Sequence, residues 1–121
     1  MTPEGRVKKA VRAALEAQGL LPLSAAAATS KPEVEGFFFM PVAGPYSVHG
    51  VHDFVGCWRG VFFSIETKAP GNATAATAAQ QGFADAAARA GGISFVGVRD
   101  ASAVDRIKAL VYEQLQSRSE P

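Results

Sequence analysis

The stretch "VHDFVGCWRGVFFSIETKAP", Val51 to Pro70, decides the fold. Two apolar, β-prone runs flank Trp58-Arg59-Gly60, so it predicts a β-hairpin with strands over Val51–Cys57 and Val61–Lys68 and a two-residue turn at Trp58-Arg59. Side chains alternate faces along a strand. Val61, Phe63, Ile65 and Thr67 share one face and supply core, while Phe62, Ser64, Glu66 and Lys68 share the other. With that turn, Asp53 falls opposite Ser64 and diagonal to Glu66, on the Glu66–Lys68 face. Another loop length changes this parity unless a bulge restores it.

Upstream, "GFFFMPV" (Gly36 to Val42) reads as a buried strand and "AGPYSVHG" as a loop. "LLPLSAAAATSKPEVEG" reads as a linker, its prolines limiting any helical turn at the alanine run. Thr2-Pro3-Glu4 opens a helix with the inward stripe Val7, Val11, Ala14 and Leu15, ending near Gly19. Downstream, "APGNAT" is a loop. Thr77 or a neighbour starts an alanine-rich helix that runs to about Ala90 and stops at Gly91-Gly92. "ISFVGV" is a buried strand. Asp100 or Ser102 caps a last helix with Val104, Ile107, Val111 and Leu115 inward, and "SRSEP" is a frayed tail. The order α-β-β-β-α-β-α predicts an α/β fold: a mixed sheet with helices on its faces, its last strand reached by a right-handed parallel crossover.

A chain of 121 residues fits a single domain over 1–121. With 48% hydrophobic and 19% charged residues it is globular rather than disordered. The net charge of +1 excludes a strongly basic nucleic-acid binder, so any polyanion site is local; Arg6, Lys8, Lys9 and Arg12 form the clear cluster. One cysteine, Cys57, allows no intrachain disulfide and suits a reducing compartment. "TPEGRVKK" has no apolar segment of a secretory signal, and no run is long enough to span a bilayer, so a soluble, cytoplasmic protein is expected.

Two carboxylates on rigid strands, Asp53 and Glu66, suit a hard divalent cation such as Mg²⁺. Such an ion acidifies water and binds a phosphate oxygen, and Lys68 can offset charge developing on the phosphorane. The plainer alternative is an acid–lysine salt bridge on a solvated sheet face. The surrounding pattern extends the first reading. Gly50-Val51-His52-Asp53, then Ile65-Glu66-Thr67-Lys68, then Gln80-Gln81-Gly82-Phe83 and Gly91-Gly92, resembles the VRR-NUC branch of the PD-(D/E)XK nucleases over roughly Gly36 to Leu110.

That resemblance implies a restriction-endonuclease-like αβββαβ core with a central mixed four-stranded sheet, and a Mg²⁺-dependent deoxyribonuclease for which Mn²⁺ can substitute. Asp53 and Glu66 are then metal ligands with the Thr67 carbonyl, Lys68 is the catalytic lysine, and Gln80 holds the active site or the nucleic-acid backbone. Relatives often add an acid from the first helix. Glu4 lies between Val11 and Leu15 on the inward stripe, where it can reach the metal or simply serve the helix dipole. Junction or flap DNA is a candidate substrate. A homodimer is expected, and a viral or phage source, acting in the host cytoplasm, suits so compact a version. The family usually has proline before the first acid; here it is His52, which leaves the metal site in place. The rival reading in another class is a nucleic-acid-binding module that keeps the fold without turnover.

Lys8, Arg12, His49 and Arg59 are the candidate nucleic-acid contacts, each with a plainer reading as solvated polarity, including a Glu4–Lys8 pair on the first helix. Trp58 is expected beside Arg59 at an exposed hairpin tip. His49 and His52 point to opposite strand faces if both are extended, which speaks against zinc. Gln81 competes with Gln80, but Phe83 and Gly91 follow Gln80 at the family's spacing.

Overall fold

The protein, a computed structural model, is described over residues 1–71 and 76–119; part of the expected "APGNAT" loop and the end of the expected tail lie outside these. The first helix, α1 (Pro3–Ala17), forms as its sequence dictates. The Thr2 hydroxyl accepts from the Gly5 amide at 3.0 Å, Pro3 sits in the first turn, and Val7, Val11 and Leu15 are buried.

The expected linker is folded. Leu20–Pro22 is a strand, β1, and Leu23–Ala28 a short helix, α2. Proline and serine content misled the reading because the pairing that orders β1 is non-local. It lies parallel to β2 (Gly36–Phe39), with Leu20 opposite Gly36. Pro22 is tolerated because β1 is an edge strand, where one side needs no amide donor. The sheet among the described residues therefore has five strands rather than four, lying side by side in chain order. β2 is also shorter than "GFFFMPV" suggested and not buried throughout: Phe38 enters the core while Phe39 is exposed.

The hairpin is present one residue out of the expected phase. β3 is Phe54–Trp58 and β4 is Val61–Thr67, so the turn is Arg59-Gly60, not Trp58-Arg59. Both turn residues have positive φ, 49° and 85°, the twist that a two-residue hairpin needs, and glycine takes the second position without a Cβ penalty. Trp58 is consequently not at the tip. It is fully buried, paired with Val61, and its indole N–H donates to Glu35 at 2.9 Å. Continuing the observed register from Phe54↔Ile65 sets Asp53 opposite Glu66, not Ser64.

After β4 the chain crosses through α3 (Ala78–Arg89), capped by Thr77, to β5 (Ile93–Val98), which pairs parallel with β4. Across from Glu66, β5 carries an extra residue: Ile65 faces Phe95, but Thr67 faces Val98. The last helix, α4 (Ser102–Arg118), starts where Asp100 accepts from the Ser102 amide at 2.8 Å, and it buries Val104, Ile107 and Val111. One core joins the α1 and α4 stripes to Phe54, Val61, Phe63 and Ile65. The other face of β4 meets α3, through Phe62 against Phe83. No helix among the described residues is long and apolar enough to cross a membrane.

Leu20 is 1% exposed, so Leu20→Ala should destabilise the chain by about 2–5 kcal/mol in denaturant unfolding. A loss within about 0.5 kcal/mol would return the segment to a linker.

Candidate active site

The site lies where β3 begins and β4 ends, reached by α1 from the core face and by α3 from the opposite one. Asp53 and Glu66 brace each other through the backbone. The Asp53 amide donates to Glu66 Oε1 at 3.1 Å, and the Thr67 amide donates to Asp53 Oδ2 at 2.9 Å. The Thr67 hydroxyl adds a second bond to Asp53 Oδ2 at 2.6 Å. Lys8 Nζ stands 3.6 Å from Asp53 Oδ1, and Gln80 Nε2 donates to Glu66 Oε2 at 2.7 Å.

Gln80 reaches Glu66 because its other amide atom is already fixed. It is the third residue of α3, and its Oε1 accepts from the Thr77 amide at 2.9 Å while the Thr77 hydroxyl accepts from the Gln80 amide, a reciprocal capping box. Gln81, its rival, faces outward to Asp85.

Glu66 is 5% exposed. Burial, and then the charge of Asp53, push its carboxyl up to about 7, against the opposing pull of the Asp53 amide and of Lys68. Glu4 also acts on it at range, in the raising direction. Glu4 is thus on the correct side of α1, yet among the described residues no group of three or more His, Cys, Asp or Glu closes into a metal cluster. Thr67 serves here as a donor to Asp53. Lys68 is half-buried, with its amide bonded to the Val98 carbonyl at 2.8 Å.

Of the candidate nucleic-acid contacts, Lys8 belongs to the carboxylate site instead of pairing with Glu4, because the hairpin register brings Asp53 under α1. Arg12 pairs with Glu16 at 3.3 Å and lies over the Phe38 ring. His49 lines a cleft of about 340 Å³ with Gly44, Ser47 and Gly50, and this cleft ends at Asp53. Arg59 is exposed at the hairpin tip, its amide bonded to Glu35.

His52 is the residue whose part the sequence did not show. It is 1% exposed, its ring lies against Phe83 with centroids 4.7 Å apart, and both ring nitrogens have partners. Nε2 is 2.9 Å from the Gln80 carbonyl and Nδ1 is 2.9 Å from Ser64 Oγ. A carbonyl only accepts, so Nε2 carries the proton and Nδ1 accepts from serine. Burial holds the imidazole below its ordinary value, although the Gln80 carbonyl and Asp53 oppose this, and the neutral form fits those bonds. With both nitrogens engaged, His52 has no free lone pair for zinc. The signal in the sequence was its place directly before Asp53, where a buried histidine needs two partners.

No protein-family model matches this chain, and neither does any curated protein or solved structure.

The raised Glu66 carboxyl makes a signed prediction. Between about pH 4.5 and 7 the folded chain holds a proton that the unfolded chain has released, so this contribution to stability is present at low pH and lost as pH rises. In metal-free melts, the Tm of the wild type should fall relative to Glu66→Gln as pH rises from about 4.5 to 7, and level off above that. A pH-independent difference would mean that Glu66 titrates as an ordinary carboxylate.

Proposed function

We propose that the chain is a Mg²⁺-dependent nuclease that hydrolyses DNA phosphodiester bonds, with junction or flap DNA as candidate substrate. The observation that carries this reading is the mutual bracing of Asp53 and Glu66, with Gln80 on one carboxylate and Lys8 beside the other. A solvated salt bridge would not be buried deeply enough to hold Glu66 near 7. A buried, mutually repelling carboxylate pair is relieved by a divalent cation. Mg²⁺ is the hard ion that uses one or two carboxylates and otherwise keeps water and phosphate oxygens, so the absence of a third acid ligand among the described residues does not conflict with it.

Asp53 and Glu66 would hold the ion, with the Thr67 carbonyl and Glu4 as further candidates. When bound, Mg²⁺ supplies a Lewis acid to the phosphoryl oxygen and makes water acidic enough to act near neutrality. The remaining work falls to the chain. Thr67 fixes the Asp53 carboxylate, and Gln80 fixes that of Glu66. Lys68 brings a positive charge that is stronger in the transition state than in the ground state. The cleft from His49 to Asp53 offers a route for the strand. A homodimer acting in the cytoplasm completes the reading.

The second reading, a nucleic-acid-binding module without turnover, takes support from the same hydrogen bonds: each oxygen of the two carboxylates already has a protein partner. Incubation with single-stranded, duplex, flap and junction DNA in Mg²⁺ and in Mn²⁺ separates the two. Cleavage is expected with both ions and none in chelator; binding without cleavage would leave the module.

Lys68→Ala should lower kcat by about 100- to 1000-fold while Mn²⁺ affinity stays near that of the wild type. Equal loss of both would make Lys68 a structural partner of Glu66. For Glu4, the test is Glu4→Gln at limiting Mg²⁺. A marked loss of cleavage with little change in Tm is expected of a ligand, and unchanged cleavage would remove Glu4 from the site.

A further inference from the structure

We infer that His52 is a positioning residue for this centre: through the Gln80 carbonyl it fixes the first turn of α3, and so holds the Gln80 carboxamide on Glu66. The inference rests on the nuclease reading only for what the positioned groups do.

α3 packs on β4 and β5, but largely through alanine, which holds the helix against the sheet without fixing its register. Of its twelve residues only Ala84 is buried. Yet Gln80 Nε2 meets Glu66 at 2.7 Å, a contact that a small rotation or slide would break. Apart from Glu66 itself, the contacts that reach the first turn come from one short segment, Gly50 to His52. Gly50 has φ +82° and packs so closely that a Cβ there would meet the Ala79 carbonyl oxygen at 2.3 Å. His52 Nε2 donates to the Gln80 carbonyl, and the His52 ring lies against Phe83 one turn on.

The ring itself is set by the sheet. Ser64 on β4 is fully buried and bonds to Nδ1; Ser94 on β5 lies 3.3 Å from the same nitrogen and hydrogen-bonds to Ser64. A serine and histidine at this distance resemble an activated nucleophile, but both are sealed from solvent and no substrate reaches them. Their consequence is geometric. The residue that directly precedes Asp53 also fixes the helix that serves Glu66, so both carboxylates are oriented from one point. Proline, usual at this position in the resembled family, has no donor for such a bond.

Two substitutions divide the ring's functions. Glutamine places an amide N–H where Nε2 stands and can still reach the Gln80 carbonyl. Asparagine reaches only the Nδ1 position, toward Ser64. The test compares wild type, His52→Gln and His52→Asn by kcat and KM on the best DNA substrate, and by solvent exchange of the ¹⁵N-labelled Gln80 side-chain amide in metal-free protein. His52→Asn is expected to lower kcat by about 10- to 100-fold with little change in KM and to lose the protection of the Gln80 amide. His52→Gln should recover both. His52→Phe, which keeps a ring against Phe83 but has no donor, is the second uncoupled variant and replaces His52→Asn if that chain does not fold. A Gln80 amide as protected in the uncoupled variant as in the wild type would overturn the inference, as would equal loss in His52→Gln. A wild type that cuts no DNA would count against the nuclease reading alone, since amide exchange reports positioning without turnover.

Discussion

The structure turns on a pair of backbone hydrogen bonds that cross between two acids. The Asp53 amide holds Glu66, and the Thr67 amide holds Asp53. This cross-brace exists only because the hairpin closes through two residues of positive φ, Arg59 and Gly60. A slip of one residue would move Glu66 to the other face of β4 and separate the acids. The β5 irregularity lies at the same level, where Ile65 and Thr67 face Phe95 and Val98.

Around this brace the fold concentrates polar groups in a place where they are costly. A carboxylate as buried as Glu66 is stable only if it is hydrogen-bonded, neutralised or paired with a cation. The chain supplies the first through Asp53 and Gln80, and the second through a carboxyl held near 7. On the proposed reading, a divalent ion supplies the third. A buried carboxyl so perturbed by burial and by a neighbouring acid is the physical ground for proposing a functional site here. The two helices differ in how they serve it. α1 is anchored by Val7, Val11 and Leu15 and brings Lys8 as a by-product of core packing. α3 packs on the sheet mainly through alanine and Phe83, and its first turn is held by Gly50, His52 and its capping box.

Much of this was legible in the sequence where the signal is local. The period-two alternation of β4, the start of α3 at Thr77, and the stripes of α1 and α4 all stand where the residues put them. The preference for Gln80 over Gln81 rests on the spacing of the resembled family, and the structure brings Gln80 to Glu66. What was not legible depended on distant partners. Leu20–Pro22 becomes a strand only beside β2, and nothing within its own residues says so. Trp58 was expected in the turn because it adjoins Arg59 and Gly60, whereas its indole has a partner in Glu35, which precedes β2. For Lys8 the sequence offers a nucleic-acid contact or a pair with Glu4 on its own helix; its place beside Asp53 depends on the hairpin phase, which lies one residue from the expected one. His52 was set aside because its partners, Ser64, Ser94 and Gln80, come from three different elements.

The central claim is that this buried acid pair is a divalent-cation site. Calorimetric titration of Mn²⁺ into the metal-free chain near pH 6.5, repeated in two buffers of different ionisation enthalpy, tests it most directly. A cation that binds there must displace the proton that Glu66 partly retains at this pH. Uptake of Mn²⁺ with release of a fraction of a proton is expected, both lost in Asp53→Asn. Absence of binding, or binding with no proton release and no dependence on Asp53, would contradict it.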